Sequence, residues 1–449
     1  MIASVLFWLA LFILAYSYVG YPALIAVWAT LRPKPVRRAD RRPTVTILLA
    51  AHNEAERIAG RIENLCALDY PADRLQILIG SDGSTDATVL RARACAAGRV
   101  TIVEFAARRG KPATLNDLAR RARGEILVLT DARQRFEPNA LRALVAPFSD
   151  PAVGAVGGEL ILVPDGAEAP VGKGLGLYWR LEKAIRARES RAGSCVGVSG
   201  AIYAVRRDLF DPLPEEVILD DVLVPMRVAR RGLRVIFEPR ARAYDRLPAS
   251  EREEFTRKVR TIAGNFQLLA RHRWLLDPRR NPLWLQTVSH KGLRLLGPLL
   301  LVTMLAASLA LARRPVYQLA LAAQIGCYAA ALVGRFGRST GRRWGLAALP
   351  YAVCLLNWAT LVGFVRFAGA RQTVTWERRT PETQPATLPF PQYHRSFPIE
   401  NSRIRPTVAV AAGGYRTRQD QREAATAGAE RDAARSGRRF GTVGATRRT

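Results

Sequence analysis

The stretch Leu75–Thr88, LQILIGSDGSTDAT, constrains the fold most strongly. Four apolar residues in close succession (Leu75, Ile77, Leu78 and Ile79) read as a buried strand of a parallel sheet. The strand empties into small and acidic residues from Gly80 to Asp86. Open α/β sheets bind ligands just beyond the carboxyl ends of their strands, which is where Asp82 and Asp86 would sit. A turn with an N-capping Asp would look the same in isolation, so the neighbouring stretches must decide.

Those neighbours repeat the pattern. Thr44–Ala50 reads as a strand, followed by His52, Asn53 and Glu54 and a helix to Ala67. A helix through Ala96 precedes a third strand at Arg99–Glu104. Lys111–Arg123 is amphipathic, and Glu125–Thr130 forms a fourth strand ending at Asp131. This alternation predicts an α/β domain over residues 43–249, a mixed sheet with helices on both faces.

Apolar stretches flank that domain. Val5–Trp28 is long enough to cross a bilayer of ~30 Å, and no basic segment precedes it, so it reads as an anchor and not a cleaved signal. The basic cluster from Arg32 to Arg42 marks its cytoplasmic side. Residues 1–42 are thus an anchor with a basic juxtamembrane segment. Residues 250–296 read as amphipathic interfacial helices, with Trp284 beside His290, Lys291 and Arg294. Residues 297–370 hold three apolar segments as transmembrane helices. Four spans would return the chain to the side it started from, whereas the Arg-rich stretch after the last favours the inside, so one segment is interfacial or re-entrant. Residues 371–449 form a basic tail, disordered after 400.

The net charge of +30 suits an anionic membrane face or phosphorylated substrates, and no nucleic-acid-reading motif is present. Five scattered cysteines without a C-x-x-C pair support neither a zinc site nor a disulfide framework. The four histidines form no H-E-x-x-H. Any metal is therefore held by oxygen, which points to Mg²⁺ or Mn²⁺.

Asn53, Glu54, Asp82, Lys111, Asp131 and the pair Asp220 and Asp221 each fall at or near a break in the α/β pattern. Moving a sugar from a nucleotide diphosphate needs groups for the base and ribose, a divalent cation, cationic donors for the departing charge and a carboxylate base. Adjacent carboxylates raise one another's proton affinity, which suits the Asp220–Asp221 pair to the last role. Capping of the helix Val222–Arg231 is the competing explanation.

Several segments resemble, in order, the membrane family-2 glycosyltransferases of the GT-A fold, the group of cellulose, hyaluronan and poly-N-acetylglucosamine synthases. They are AHNEAERI (51–58), SDGSTDAT (81–88), RRGKPATLN (108–116), LTDARQRFEPNAL (129–141), SGAIYAVRR (199–207) and LDDVLVPMRVARRGLRVIFEPRA (219–241). The resemblance implies that Asn53, Glu54 and Asp82 hold nucleobase and ribose, and that Lys111 lies near the phosphates. Asp131 stands where the metal-binding D-x-D begins, although Arg133 replaces the second Asp, so either Asp131 alone supports the cation or Arg133 supplies positive charge in its place. Asp221 matches the base, with Asp220 in place of Glu, and Ser199 and Gly200 match the acceptor loop. In place of Q-x-x-R-W the chain has Arg257 to Gln267, where Arg257 and Arg260 are expected at the diphosphate and Phe266 as a sugar platform. Trp376 in TVTWERR resembles a closing segment of some members.

The expectation is an inverting transferase in the inner (plasma) membrane with its catalytic domain in the cytoplasm. It would take a nucleotide-sugar donor, a UDP-sugar by likeness, and a polysaccharide or lipid-linked acceptor, with the lipid bilayer as partner and no nucleic acid. A single-addition enzyme loading a polyprenyl phosphate is one alternative. A non-catalytic membrane scaffold that binds nucleotides is another.

Overall fold

The computed structural model describes residues 1–96, 98–163, 173–248, 250–339 and 347–372, without the side chains of 173–178 and 337–339. The tail beyond 372, with Trp376, lies outside the described residues.

Eight strands form one sheet: β1 (Val45–Ala51), β2 (Leu75–Asp82), β3 (Val100–Phe105), β4 (Ile126–Thr130), β5 (Arg135–Phe136), β6 (Val153–Val163), β7 (Tyr203–Arg206) and β8 (Arg234–Arg246). Their spatial order is β3-β2-β1-β4-β7-β6-β8-β5. The pairs from β3 to β4 are parallel, while β7 runs antiparallel to both β4 and β6. β1 and β4 are buried throughout, and β2 nearly so, which explains why they are continuously apolar instead of alternating.

Side chains of period two divide between the two faces. Leu48, Leu78, Leu127 and Leu129 join one core, and Ile47, Leu49, Ile77, Ile79 and Val128 join the other. In chain order the helices are α1 (Ile2–Leu31), α2 (Ile58–Cys66), α3 (Thr88–Cys95), α4 (Lys111–Arg121), α5 (Ala140–Val145), α6 (Lys173–Ala192), α7 (Asp220–Arg230), α8 (Glu251–Arg271), α9 (Trp284–Leu295), α10 (Gly297–Ala310), α11 (Pro315–Ser339) and α12 (Ala348–Ala368). Ser250 starts α8 by accepting the Glu253 amide on its hydroxyl, 3.2 Å away, as an S-x-x-E sequence favours.

α1, α12 and the Pro315–Phe336 part of α11 are long and apolar enough to cross a membrane. α9 and α10 meet at a 58° bend and make a broken span or a re-entrant loop. Of the four apolar segments read from the sequence, the one beginning at Gly297 falls in this bent pair. Two helices carry a wide π turn, Tyr16–Gly20 within α1 and Thr287–Gly292 within α9.

Candidate active site

The parallel half of the sheet gathers most of the expected donor-side residues at one edge. Asn53 and Glu54 follow β1, Asp82 ends β2, Asp131 follows β4, and Lys111 opens α4 beyond β3. Carboxyl ends of adjacent parallel strands lie side by side, so residues distant in sequence converge there.

Lys111 is the centre of the arrangement. Its Nζ lies 2.9 Å from Asp131 Oδ1 and 3.3 Å from Asp220 Oδ1. Burial works against the ammonium, but Asp131 and Asp220 outweigh it and raise its pKa above the ordinary lysine value. Burial would likewise lift Asp131, yet Lys111, Arg133 and Arg260 hold it below the usual carboxylate value. Arg133 Nη2 is 3.9 Å from Asp131 Oδ2, and its Nη1 is 3.9 Å from Asp245.

The two neighbouring aspartates are held differently. Asp220 is buried, with Lys111 on one oxygen and the Tyr203 hydroxyl donating to the other at 2.9 Å. Asp221 is only half-buried, and the Gly200 amide donates to its Oδ2 at 3.0 Å. A Cβ on Gly200 would stand 3.2 Å from that oxygen, so glycine allows the close approach. Burial first, then Asp220, push the Asp221 carboxyl up from 3.8 to about 6, against the opposing pull of Lys111. Asp221 is therefore the member of the pair poised to take a proton near neutral pH.

Pro225 holds the backbone of Asp221 open. In an α-helix the amide of residue 225 would bond the carbonyl of 221, and proline has no such hydrogen. The Asp221 carbonyl instead accepts the Val198 amide at 2.9 Å. The loop between α6 and β7 thus grips Asp221 by both main chain and side chain.

Other expected residues take supporting positions. Asn53 adopts a left-handed backbone (φ 53°), and its Oδ1 accepts the Thr85 amide at 2.8 Å. Glu54 pairs with Arg57 at 3.0 Å, while its amide donates to Thr88 Oγ1 at 2.8 Å. Asp82 is 0 % exposed, and its two oxygens accept the amides of Arg109 (2.7 Å) and Gly110 (2.8 Å). In this structure it positions the loop before Lys111 and presents no free carboxylate. Gly83 makes that contact feasible: its φ is +59°, and a Cβ there would lie 2.6 Å from the Arg108 nitrogen.

On α8, Arg257 pairs with Glu253 at 2.8 Å, and burial followed by the nearby Arg133 lowers its pKa. The charge of Arg260 reaches Asp131. Arg257 thus neighbours Arg133, and Arg260 neighbours Asp131. Phe266, expected as a sugar platform, is half-buried beside an apolar helix. Its ring packs against Phe364 and Phe367 of α12, with centroids 5.2 and 6.0 Å away, because that face of α8 meets an apolar helix. Ser199 turns the loop, its carbonyl accepting the Ile202 amide at 3.1 Å.

The sequence profile described as Glycosyl transferase family 2 matches residues 46–213. The chain carries a family 2 glycosyltransferase domain. Poly-beta-1,6-N-acetyl-D-glucosamine synthase of Staphylococcus aureus is 26 % identical over 263 residues, covering 57 % of this chain and 63 % of that one. The match therefore spans just under two thirds of that relative's length. Beta-monoglucosyldiacylglycerol synthase of Nostoc sp. is 34 % identical over 154 residues, a third (33 %) of each protein. Among solved structures, mannosyltransferase PcManGT from Pyrobaculum calidifontis, in complex with GDP-Man and Mn²⁺, superposes with a TM-score of 0.63. That similarity has 26 % sequence identity and covers 82 % of this chain and 99 % of that one. The fold is GT-A.

The glycosyltransferase domain also uses residues that motif reading passed over. Tyr203 sits inside the quoted SGAIYAVRR segment, where its alternation in a strand gave no hint of its bond to Asp220. Arg61 is fully buried, donating to Asn64 (2.7 Å) and Thr130 (2.7 Å) beneath Asp131, with its guanidinium 4.3 Å from the Phe136 ring centroid. Burial lowers its pKa to about 9. An arginine within the apolar periodicity of α2 was the available signal. Asp245 accepts a bond from Gln134 at 2.9 Å, and only the sheet brings the two together.

Proposed function

We propose that this glycosyltransferase is an inverting, divalent-metal-dependent enzyme that moves a sugar from a nucleotide-sugar to a polysaccharide or lipid-linked acceptor at the cytoplasmic face of the inner membrane. One observation carries the reading: Lys111 joins Asp131 to Asp220, so the donor edge and the Asp220–Asp221 pair belong to one site. In that reading Asp221 accepts the proton of an acceptor hydroxyl. The oxygen then attacks the anomeric carbon, and the bond to the nucleoside diphosphate breaks with inversion. Lys111, Arg133, Arg257 and Arg260 supply positive charge to the departing diphosphate.

Among the described residues no three of His, Cys, Asp and Glu gather as a metal site. Asp131, with its side chain 25 % exposed, still offers a hard carboxylate oxygen suited to Mg²⁺ or Mn²⁺, the remaining ligands coming from diphosphate and water. Such an ion would neutralise charge on the leaving group. The Mn²⁺ of the archaeal mannosyltransferase complex supports this assignment.

Likeness to the poly-N-acetylglucosamine synthase favours a glycan acceptor, and the resemblance of the motifs to the membrane synthases favours a UDP-sugar donor. The GDP-Man of the structural neighbour favours a second reading, a GDP-sugar donor. The test is a panel of labelled UDP- and GDP-sugars with purified protein in lipid, with and without Mn²⁺ or Mg²⁺. One pair of nucleotide and sugar should give product, chelation should abolish it, and Asp221→Asn should abolish transfer while nucleotide binding persists. A ladder of products indicates a polysaccharide acceptor, and a single addition a lipid-linked one. Undiminished turnover by Asp221→Asn would refute the base.

A further inference from the structure

A second cluster of charged groups lies outside the donor edge, where α1, α6 and α9 meet. His290 Nδ1 is 2.9 Å from Glu189 Oε1, and its Nε2 is 3.0 Å from Glu182 Oε2. An ionised carboxylate can only accept, so a ring that bonds one through each nitrogen carries both protons and is an imidazolium. The Tyr21 hydroxyl of α1 donates to the same Glu189 oxygen at 2.5 Å, and Arg294 pairs with Glu182. Glu189 and Tyr21 are each 1 % exposed. Burying such groups is a weak way to gain stability, because desolvation offsets most of the attraction. What the cluster does supply is fixed geometry.

The second oxygen of Glu189 leads toward Asp221. It accepts the Val196 amide at 3.3 Å. Val196 belongs to the loop whose Val198 and Gly200 amides grip the Asp221 carbonyl and carboxylate. The membrane-side partners come from the two helices with π turns, and those turns touch one another: Tyr16 Oη and Ser289 Oγ are 2.9 Å apart. π turns place side chains where an ordinary helix could not.

We propose that Tyr21, His290 and Glu189 form a positioning network that aligns Asp221 for transfer only when the anchor helix and the broken helix are docked together. This rests on the reading of Asp221 as the base. Releasing Tyr21 or His290 frees Glu189 to turn, which loosens the 196–200 loop and its bond to Asp221 Oδ2. Donor-side residues are untouched, so the loss falls on the chemical step. Displacing a catalytic group by a fraction of an ångström is costly.

The Gly200 amide stabilises ionised Asp221, so loosening it also moves the acid limb of the rate profile to higher pH. The other groups that face Asp221 are Asp220, Lys111, Lys291 and Tyr203. Those around His290 are Glu182, Glu189, Tyr21, Arg294 and Lys291, with Lys258 near Glu182 and Arg186 near Lys291. Tyr21→Phe changes none of these charges, so a shifted limb in that variant reports geometry.

The experiment uses the full chain in lipid nanodiscs, with the labelled nucleotide-sugar that serves as donor. Tyr21→Phe should lower kcat about three- to tenfold, as loss of one buried hydrogen bond implies. Donor KM should not change, and the acid limb should rise by a few tenths of a pH unit. His290→Gln should lose more. Tyr317→Phe, which removes a 2.6 Å bond to Ser4 elsewhere on the anchor, should match the unmodified chain. Wild-type kcat and acid limb in both Tyr21→Phe and His290→Gln would overturn the network, as would an equal loss in Tyr317→Phe. Turnover retained by Asp221→Asn would instead remove the base that the network serves.

Discussion

Asp220→Asn isolates the effect of one charge on its neighbour. Asp221 is pushed from 3.8 to about 6, chiefly by burial and next by Asp220. A base with that value is about nine-tenths ionised at pH 7 and about one-tenth at pH 5, so kcat should fall steeply across that interval. Like charges on neighbouring carboxylates repel by roughly a few kcal/mol at an effective dielectric of about 20. Lys111, 3.3 Å from Asp220, cancels part of this. Asparagine removes the repulsion and leaves burial in place. It keeps an oxygen for the Tyr203 hydroxyl, and it frees Lys111 to favour the remaining carboxylates. Both effects make Asp221 ionise more readily, so the acid limb should move down by about 1 pH unit, equivalent to about 1.4 kcal/mol. The assay is kcat against pH from 4.5 to 8 at saturating donor and acceptor, at constant ionic strength. The observed limb belongs to the coupled pair in the unmodified chain and to Asp221 alone in the variant. A limb that stays in place or moves upward would refute the reasoning.

Other substitutions probe the same site. Lys111→Met leaves Asp131 and Asp220 without their shared cation, so donor KM should rise at least about tenfold and the acid limb should move upward, measured in the same assay. Gly83→Ala forces an L side chain into φ +59° against the 107–108 backbone, and thermal unfolding should show a loss of roughly 2 kcal/mol or more with weakened nucleotide binding. Phe266→Ala should lower the unfolding temperature, by about 1–3 kcal/mol of packing with α12, while acceptor KM stays unchanged. A large rise in acceptor KM would return Phe266 to the acceptor site.

The parallel strands were legible because burial on both faces leaves an unbroken apolar run, and their ends marked Asp131 and Lys111 as neighbours. Direction was harder to read than place. Nothing in the spacing of Asp82 shows that the turn at Gly83 folds the 107–110 backbone onto its carboxylate. Phe266 lies in a helix whose basic residues drew attention to one face, while its own ring packs against an apolar helix a hundred residues away. The His290 cluster joins partners 101 and 168 residues apart, a distance at which local pattern carries no signal. Pro225 was visible as a proline, but its effect, an unclaimed carbonyl at residue 221, depends on which loop comes to meet it.

The π turn at Tyr16–Gly20 ties the register of the anchor to the length of the chain. Such a turn holds one residue more than an α-helix needs, so a deletion inside it would close it to an ordinary turn with its flanks nearly in phase, whereas a deletion between Phe7 and Tyr16 would rotate everything before it by about 100° and draw it in by about 1.5 Å. Phe7 would then swing away from Tyr317, its T-shaped partner at 5.0 Å, while Tyr21 kept its place beside Glu189. Insertions and deletions in this span are thus phase changes of a screw, and an apolar composition alone could not repair them.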